Sequence, residues 1–205
     1  MNDTLSYCNF DSSFGIFSFV PANENHIPAL VSLLRLSGRG TYEFLLDDAD
    51  EDTLTDWLAT FITVPNSPYF YANWRVCLSE NEVVAGMCLF PADFLGIPFT
   101  SVALSPEKVA LSDTFSIPAS EKDSYHLAAL AVSDFYRHQK IGAVLISWAL
   151  CEAKSQGYRR ISLFCRTDNE QALAIYQHHG FDIIHETEDV TNGMISTSYF
   201  LARSV

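Results

Sequence analysis

The sequence predicts a single α/β domain over residues 1–205, with its sheet flanked by helices, and three observations carry that prediction. The first is the pair of apolar runs "YHLAALAV" (Tyr125–Val132) and "ISLFC" (Ile161–Cys165), separated by a segment of helical period. A strand, helix and strand in that order form a parallel, right-handed crossover unit. The second is that helix-period and strand-period segments alternate along most of the chain. The third is length: 205 residues with no internal repeat and no low-complexity linker suit one domain and bury a substantial core.

Each element follows from local signals. "FGIFSFVP" reads as a first strand ended by Pro21. "NENHIPALVSLLRLSG" reads as a helix, with Asn23 or Asn25 as cap, Pro28 in the first turn and Gly38 as stop. Ile27, Leu30, Val31 and Leu34 keep its period. "DDADEDTLTDWLATFITV" is a second helix, with acids crowded at its start where they favour the dipole. Trp74–Leu78 and Val83–Phe90 form a hairpin around "SENE". Residues 93–123 hold Pro98, Pro106 and Pro118 and show no clear period, apart from one short element that Val102–Leu111 could form. A connection this long inside a compact domain reads as a functional loop, here a lid on an acceptor site. After the strand at 125–132, Ile141, Val144, Leu145, Trp148 and Ala149 mark a helix to about Ser155, stopped by Gly157. Glu152 falls on its apolar face. "NEQALAIYQHHGF" is a further helix, capped by Asp168 or Asn169 and stopped by Gly180. Strands over Phe181–Glu186 and Met194–Arg203 close the chain around "TNG".

Composition narrows the function. Twelve Lys and Arg against 25 Asp and Glu leave a formal net charge of −13, which argues against nucleic-acid binding. An acidic chain is compatible with a cationic substrate. No apolar run reaches the ~18–20 residues of a membrane span, and the N-terminus has neither the basic nor the apolar region of a secretory signal. The five cysteines, Cys8, Cys77, Cys88, Cys151 and Cys165, are odd in number, widely spaced and without a CxxC pair. Reduced thiols in a cytoplasmic protein fit them better than a disulfide framework or a metal site. Half of the Lys and Arg sit in one short window, Arg137, Lys140, Lys154, Arg159, Arg160 and Arg166, with Glu152 as its one acid. A basic island in an acidic chain points to an anionic ligand, or to chance clustering on solvated faces.

"RHQKIGA" (137–143) lies where a strand passes into a helix. The unpaired N–H groups and dipole of a helix N-terminus bind phosphate, glycine allows close backbone approach, and arginine and lysine add charge. The turn is neither a P-loop nor a GxGxxG fingerprint. Taken with its flanking strands and helices, however, it resembles the GNAT superfamily of acyl-CoA-dependent N-acyltransferases. Three blocks match in order and spacing over Tyr125–Phe181. They are a strand ending in Ala-Val with the Arg/Gln-x-x-Gly-x-Gly/Ala turn after it, then a helix, glycine and strand, then Asn169, Ala172, Tyr176, Gly180 and Phe181 as Asn-x-x-Ala-x-x-x-Tyr ending in "GF". Lys140 departs from the pattern, standing at the family's first glycine.

The resemblance implies a mixed, centrally splayed β-sheet with helices on both faces. It implies acetyl-CoA as co-substrate and no metal. It implies that the turn Arg137, His138, Gln139, Lys140, Ile141, Gly142 and Ala143 lies at the coenzyme A pyrophosphate. Leu130, Ala131 and Val132 would pair with the pantetheine arm as a surrogate strand, one N–H polarising the thioester carbonyl. Asn169, with Ala172 in the same motif, would bind pantetheine, and Tyr176 would protonate the departing thiolate. Read without the resemblance, Tyr176 is a core tyrosine and Asn169 a helix cap. The amine must lose a proton to attack. His126, on the central strand, is a candidate base, with Tyr125, Asp134 and acids of the 93–123 loop as competitors. Alternation puts His126, Ala128, Leu130 and Val132 on one strand face. A buried structural histidine is the competing reading. The expected activity is acetyl transfer to a primary amine of a small molecule. A protein N-acetyltransferase and a non-catalytic acyl-CoA-binding module on the same scaffold are the alternatives, and homodimerisation is a further expectation from the family.

Overall fold

The computed structural model describes residues 13–14, 16–46, 50–94, 117–191 and 194–205. Among the described residues, eight strands form one sheet: β1 (Ser13–Phe14), β2 (Phe17–Pro21), β3 (Trp74–Ser79), β4 (Glu82–Pro91), β5 (Tyr125–Val132), β6 (Arg160–Arg166), β7 (Asp182–Thr191) and β8 (Met194–Ser204). Their spatial order is β1-β2-β3-β4-β5-β6-β8-β7. Among the described strands, only β5 and β6 pair in parallel. The helices are α1 (Ile27–Gly38), α2 (Thr41–Leu45), α3 (Glu51–Thr63), α4 (Ile141–Ser155) and α5 (Glu170–His178).

The apolar residues of α1 and α3, among them Leu30, Leu34, Leu58 and Ile62, pack with Trp74, Val76 and Phe90 on one face of the sheet. Ile141, Leu145, Trp148 and Ala149 of α4 pack with Met87, Leu89, Leu127 and Leu163 on the other, and Ala172, Leu173 and Tyr176 of α5 join that layer. The helices therefore cover both faces, and none of the described helices is long and apolar enough to cross a membrane.

Several local details differ from expectation. The first strand is broken into β1 and β2. Asn23 caps a 3-10 turn at Glu24–His26, and α1 follows it. α1 runs through Gly38 and ends at Arg39, whose backbone is left-handed (φ 49°, ψ 47°). Gly38 serves packing instead: a Cβ there would run into the ring of Tyr42. That close approach folds the short α2, which carries too few residues to show a period, back against α1. α3 starts at Asp50, whose carboxylate accepts from the Thr53 N–H and hydroxyl, both at 2.9 Å. The hairpin turn is the pair Glu80 and Asn81, both at positive φ (51° and 69°), which suits the twist of a tight hairpin. Val102–Leu111, Cys8 and the body of the expected lid lie outside the described residues. The described residues that flank it form 3-10 turns at Ala92–Phe94 and Ala119–Glu121.

Candidate active site

The site begins with how β5 is paired. On one side it pairs with β4 over its whole length, from Tyr125 opposite Pro91 to Val132 opposite Ala85. On the other side it meets β6 only at Tyr125, His126 and Leu127. Beyond Leu127 and Leu163 the two parallel strands part, so the backbone edge of residues 128–132 has no partner strand there among the described residues. The expected splay of the sheet is present, and it leaves hydrogen-bonding groups free toward a cleft.

The chain then turns through a 3-10 helix at Asp134–Tyr136 into α4. Two residues of this turn, His138 (φ 64°) and Lys140 (φ 63°), are left-handed. Lys140 is the N-cap of α4 and makes no side-chain cap bond. A left-handed residue followed by a helical one turns successive N–H groups toward a common point, the backbone form of an anion nest. Lys140 therefore takes the conformation that glycine adopts most readily, at a cost of about 1 kcal/mol. Gly142 follows in the first turn of the helix. A Cβ placed on it would meet only the methyl groups of Leu130 and Val132, both at 3.9 Å. Packing within the protein does not require that glycine, and the open space above it faces the cleft.

A cavity of about 1200 Å³ brings these parts together. β5 contributes Leu130, Ala131 and Val132, and the turn contributes Arg137, His138, Lys140, Ile141, Gly142 and Ala143. α5 contributes Asn169, Ala172 and Ile175. Gln139, His126 and Tyr176 are not among the lining residues. Asn169 is the N-cap of α5, accepting from the Ala172 N–H at 3.4 Å, which leaves its amide N–H₂ free of that bond. Tyr176 sits one helical turn beyond Ala172, half-buried, its ring edge-on to Phe181 at 5.8 Å. Burial, with a smaller effect from Cys165, holds its phenol well above its ordinary value. It is protonated across the physiological range.

His126 requires a correction. A bulge between the β4 pairs of Cys88 and Leu89 leaves Ala128 as an extra residue on β5. This reverses the alternation. Leu130 and Val132 pack with the α4 layer, as Tyr125 and Leu127 do. His126 lies on the other face, between the rings of Phe90 (5.8 Å) and Phe164 (5.7 Å). It is 2% exposed, and its Nδ1 shares a hydrogen bond with Ser162 Oγ at 3.0 Å, which in turn bonds Ser124 Oγ at 2.7 Å. Burial pushes its imidazole down to about 3.

The basic window divides. Arg137 and Lys140 line the cavity, whereas Arg160 pairs with Glu121 at 2.8 Å and Arg166 with Asp168 at 2.8 Å. Arg137 is held by Asp134 at 2.6 Å. Further cations come from a wall that the sequence did not advertise. Ser32, Arg35 and Leu36 of α1, its C-cap Arg39, and Glu43 of α2 also line the cavity. Their i, i+3, i+4, i+7 spacing is the polar stripe of an amphipathic helix, indistinguishable in sequence from a solvated face.

Residues 30–181 match the acetyltransferase (GNAT) family. The chain belongs to that family. Other likenesses agree with it. A 58-residue stretch is 40% identical to a mycothiol acetyltransferase of Jonesia denitrificans, covering 28% of this chain and 18% of that relative. An N-acetyltransferase from Staphylococcus aureus Mu50 superposes with a TM-score of 0.71 at 19% identity, over 90% of this chain and 99% of that one. An agmatine N-acetyltransferase mutant superposes at 0.67 and 13% identity, over 93% and 100%. The GNAT acetyltransferase fold thus spans the central strands, the parted cleft and the helices around it.

Proposed function

We propose that this GNAT acetyltransferase moves an acetyl group from acetyl-CoA to a primary amine of a small molecule, by direct attack with both substrates bound. The observation that carries the reading is the meeting of the unpaired β5 edge and the N-terminus of α4 in one cavity. The residues fit coenzyme A. Gly142 leaves space above the helix N-terminus, the Lys140–Ile141 step supplies convergent N–H groups, and Arg137 and Lys140 add positive charge near them. The free edge at Leu130–Val132 supplies donors and acceptors for an amide-bearing arm, and Asn169 adds a side-chain amide on the other wall.

In the transfer, the neutral amine nitrogen bonds to the acetyl carbon as the carbon–sulfur bond breaks. A β5 N–H stabilises the oxygen charge that develops, and Tyr176 gives its proton to the departing sulfur. Burial, which holds the Tyr176 phenol well above its ordinary value, suits a donor that must arrive protonated. His126 is a poor base for the amine. It is sealed from the cavity, and an imidazole depressed to about 3 has little pull on an ammonium proton. We assign it a structural role and leave proton removal to water in the cavity.

The test is coenzyme A release, monitored with a thiol reagent across amines, amino acids and peptides. Amine-dependent release from small molecules is expected. Release with peptides alone would move the acceptor to proteins, and binding of acetyl-CoA without release would make the protein a binding module. Tyr176→Phe is expected to lower kcat about 10²-fold while sparing acetyl-CoA binding, in line with the loss of a general acid. Undiminished turnover would remove Tyr176 from the reaction.

A further inference from the structure

Five residues other than glycine have a positive φ among the described residues. Glu80 and Asn81 form the tight hairpin turn. The other three, Arg39, His138 and Lys140, all line the cavity, and all three carry basic side chains. Backbone strain of this kind persists only where the surroundings hold it, and it gathers at ligand sites. His138 and Lys140 belong to the turn already proposed for the pyrophosphate. Arg39 does not. It caps the C-terminus of α1, between Gly38 and Gly40. Glycine is the usual residue at the left-handed end of a helix. An arginine there keeps an unfavourable backbone that ending the helix does not require.

The position of that side chain identifies its ligand. Asp168 lies two residues past the end of β6, and the turn at 137–143 lies past the end of β5. The two strands are parallel, so both features stand at the same edge of the sheet. Arg39 Nη1 is 3.8 Å from Asp168 Oδ1, which brings the guanidinium to that edge too. α1 and α4 pack on opposite faces, so Arg39 stands across the cleft from the turn. This is the phosphate end of the cofactor, whose arm leads away from it along residues 132 to 128. Charge agrees. Of the cations lining the cavity, Arg35 is held by Glu43 at 2.7 Å and Arg137 by Asp134 at 2.6 Å. Lys140 and Arg39 remain. Asp168 is beyond hydrogen-bond reach of Arg39, and both its oxygens already accept from Arg166, at 3.1 and 2.8 Å. Arg39 makes no hydrogen bond among the described residues. A bridging diphosphate carries one charge on each phosphoryl group, and these two cations flank the place for it. Resting on the acetyl-transfer reading, we propose that Arg39 is a phosphate ligand of coenzyme A, a clamp supplied by α1 from outside the cofactor turn. Its planar fork suits two phosphate oxygens at once. When Arg39 moves to the phosphate, Asp168 keeps Arg166, so no carboxylate is left unpaired.

The experiment is calorimetry of coenzyme A and of dephospho-coenzyme A on wild type and Arg39→Asn, at low and high salt. Asparagine tolerates the left-handed backbone and removes the charge, so the melting temperature should hold. At low salt the variant's Kd for coenzyme A is expected to rise about tenfold, the scale of one charge-assisted contact. Salt screens that contact, so the Kd values of wild type and variant should converge as salt is raised. A loss with both ligands puts Arg39 on the pyrophosphate, and a loss confined to coenzyme A puts it on the 3′-phosphate. Either result supports the clamp. An unchanged Kd would overturn it. So would a loss of the same size at every salt concentration, which marks a distorted cleft. Should Arg39→Asn fail to fold, Arg39→Gly, which also suits a left-handed backbone, takes its place with the same outcomes. Wild type that binds no coenzyme A would reject the acetyl-transfer reading itself, whereas tight binding unchanged in the variant rejects the clamp alone.

Discussion

His126 shows how much a single residue's environment decides. Its position on the central strand, beside a predicted cofactor cleft, makes it a natural candidate base from sequence. The bulge at Ala128 turns it away from that cleft, and burial between Phe90 and Phe164 favours the neutral ring. The folded protein holds the imidazole at about 3, against an ordinary value of 6.5. Its contribution to stability is therefore complete above pH 6.5. It is lost progressively as the pH falls toward 3, because the unfolded chain takes up the proton first. At pH 5 the loss attributable to this group is about 2 kcal/mol. Urea unfolding at pH 7 and pH 5 should show that difference in wild type, and His126→Gln should reduce it. An identical pH dependence in the variant would show that the slope comes from other groups.

At the scale of an element, the N-terminus of α4 separates folding from binding. Gly142 lies in a helix where alanine is the better former, and a methyl group there meets only ordinary contacts with Leu130 and Val132. Gly142→Ala is accordingly expected to leave stability unchanged or raise it by up to about 1 kcal/mol. The same methyl group occupies the space above the helix terminus, so acetyl-CoA binding should weaken by about tenfold or more, the cost of displacing one close backbone–phosphate contact. Melting temperature and calorimetric affinity together test this. A fall in stability, or an unchanged affinity, would contradict the assignment of that space to the ligand. Lys140 belongs to the same element. Its left-handed backbone (φ 63°) is the conformation that glycine adopts most readily.

Across the whole molecule, one ion pair ties the hairpin to the crossover helix. Arg75 on β3 grips Glu152 on α4 with two parallel bonds, Nε to Oε2 at 2.8 Å and Nη2 to Oε1 at 2.5 Å. Tyr125 of β5 donates to the same carboxylate at 3.2 Å. Glu152 is 5% exposed and the Arg75 side chain 17%. Removing one partner leaves a charge largely buried and unopposed, so Glu152→Gln is expected to destabilise the protein by about 3 kcal/mol. Replacing both by apolar residues, as in Arg75→Met with Glu152→Leu, should recover much of that loss, and a double-mutant cycle of denaturation midpoints measures the coupling. Additive effects of the two single changes would show that the pair does not act as a unit.

Local signals in the chain settle the order and type of most elements and mark the turn that we propose as the cofactor cradle. The apolar runs at 125–132 and 161–165, the helical period from Ile141 and a cap at Asp168 or Asn169 are each readable within one or two turns of chain. The turn at 137–143 and the Asn169 to Phe181 block are legible for the same reason, since residues close in sequence form them. Non-local packing decides the rest. The face that His126 occupies depends on a bulge set by pairing with β4, and alternation cannot show an added residue. The partner of Glu152, an apparent fault on an apolar face, comes from 77 residues earlier in the chain. The α1–α2 wall, with Arg35, Arg39 and Glu43, reads in sequence as a solvated stripe, because a helix face records its polarity and not what it is turned toward. That orientation comes from packing α1 against β5, with α2 beside α1, a non-local event that no window of sequence contains.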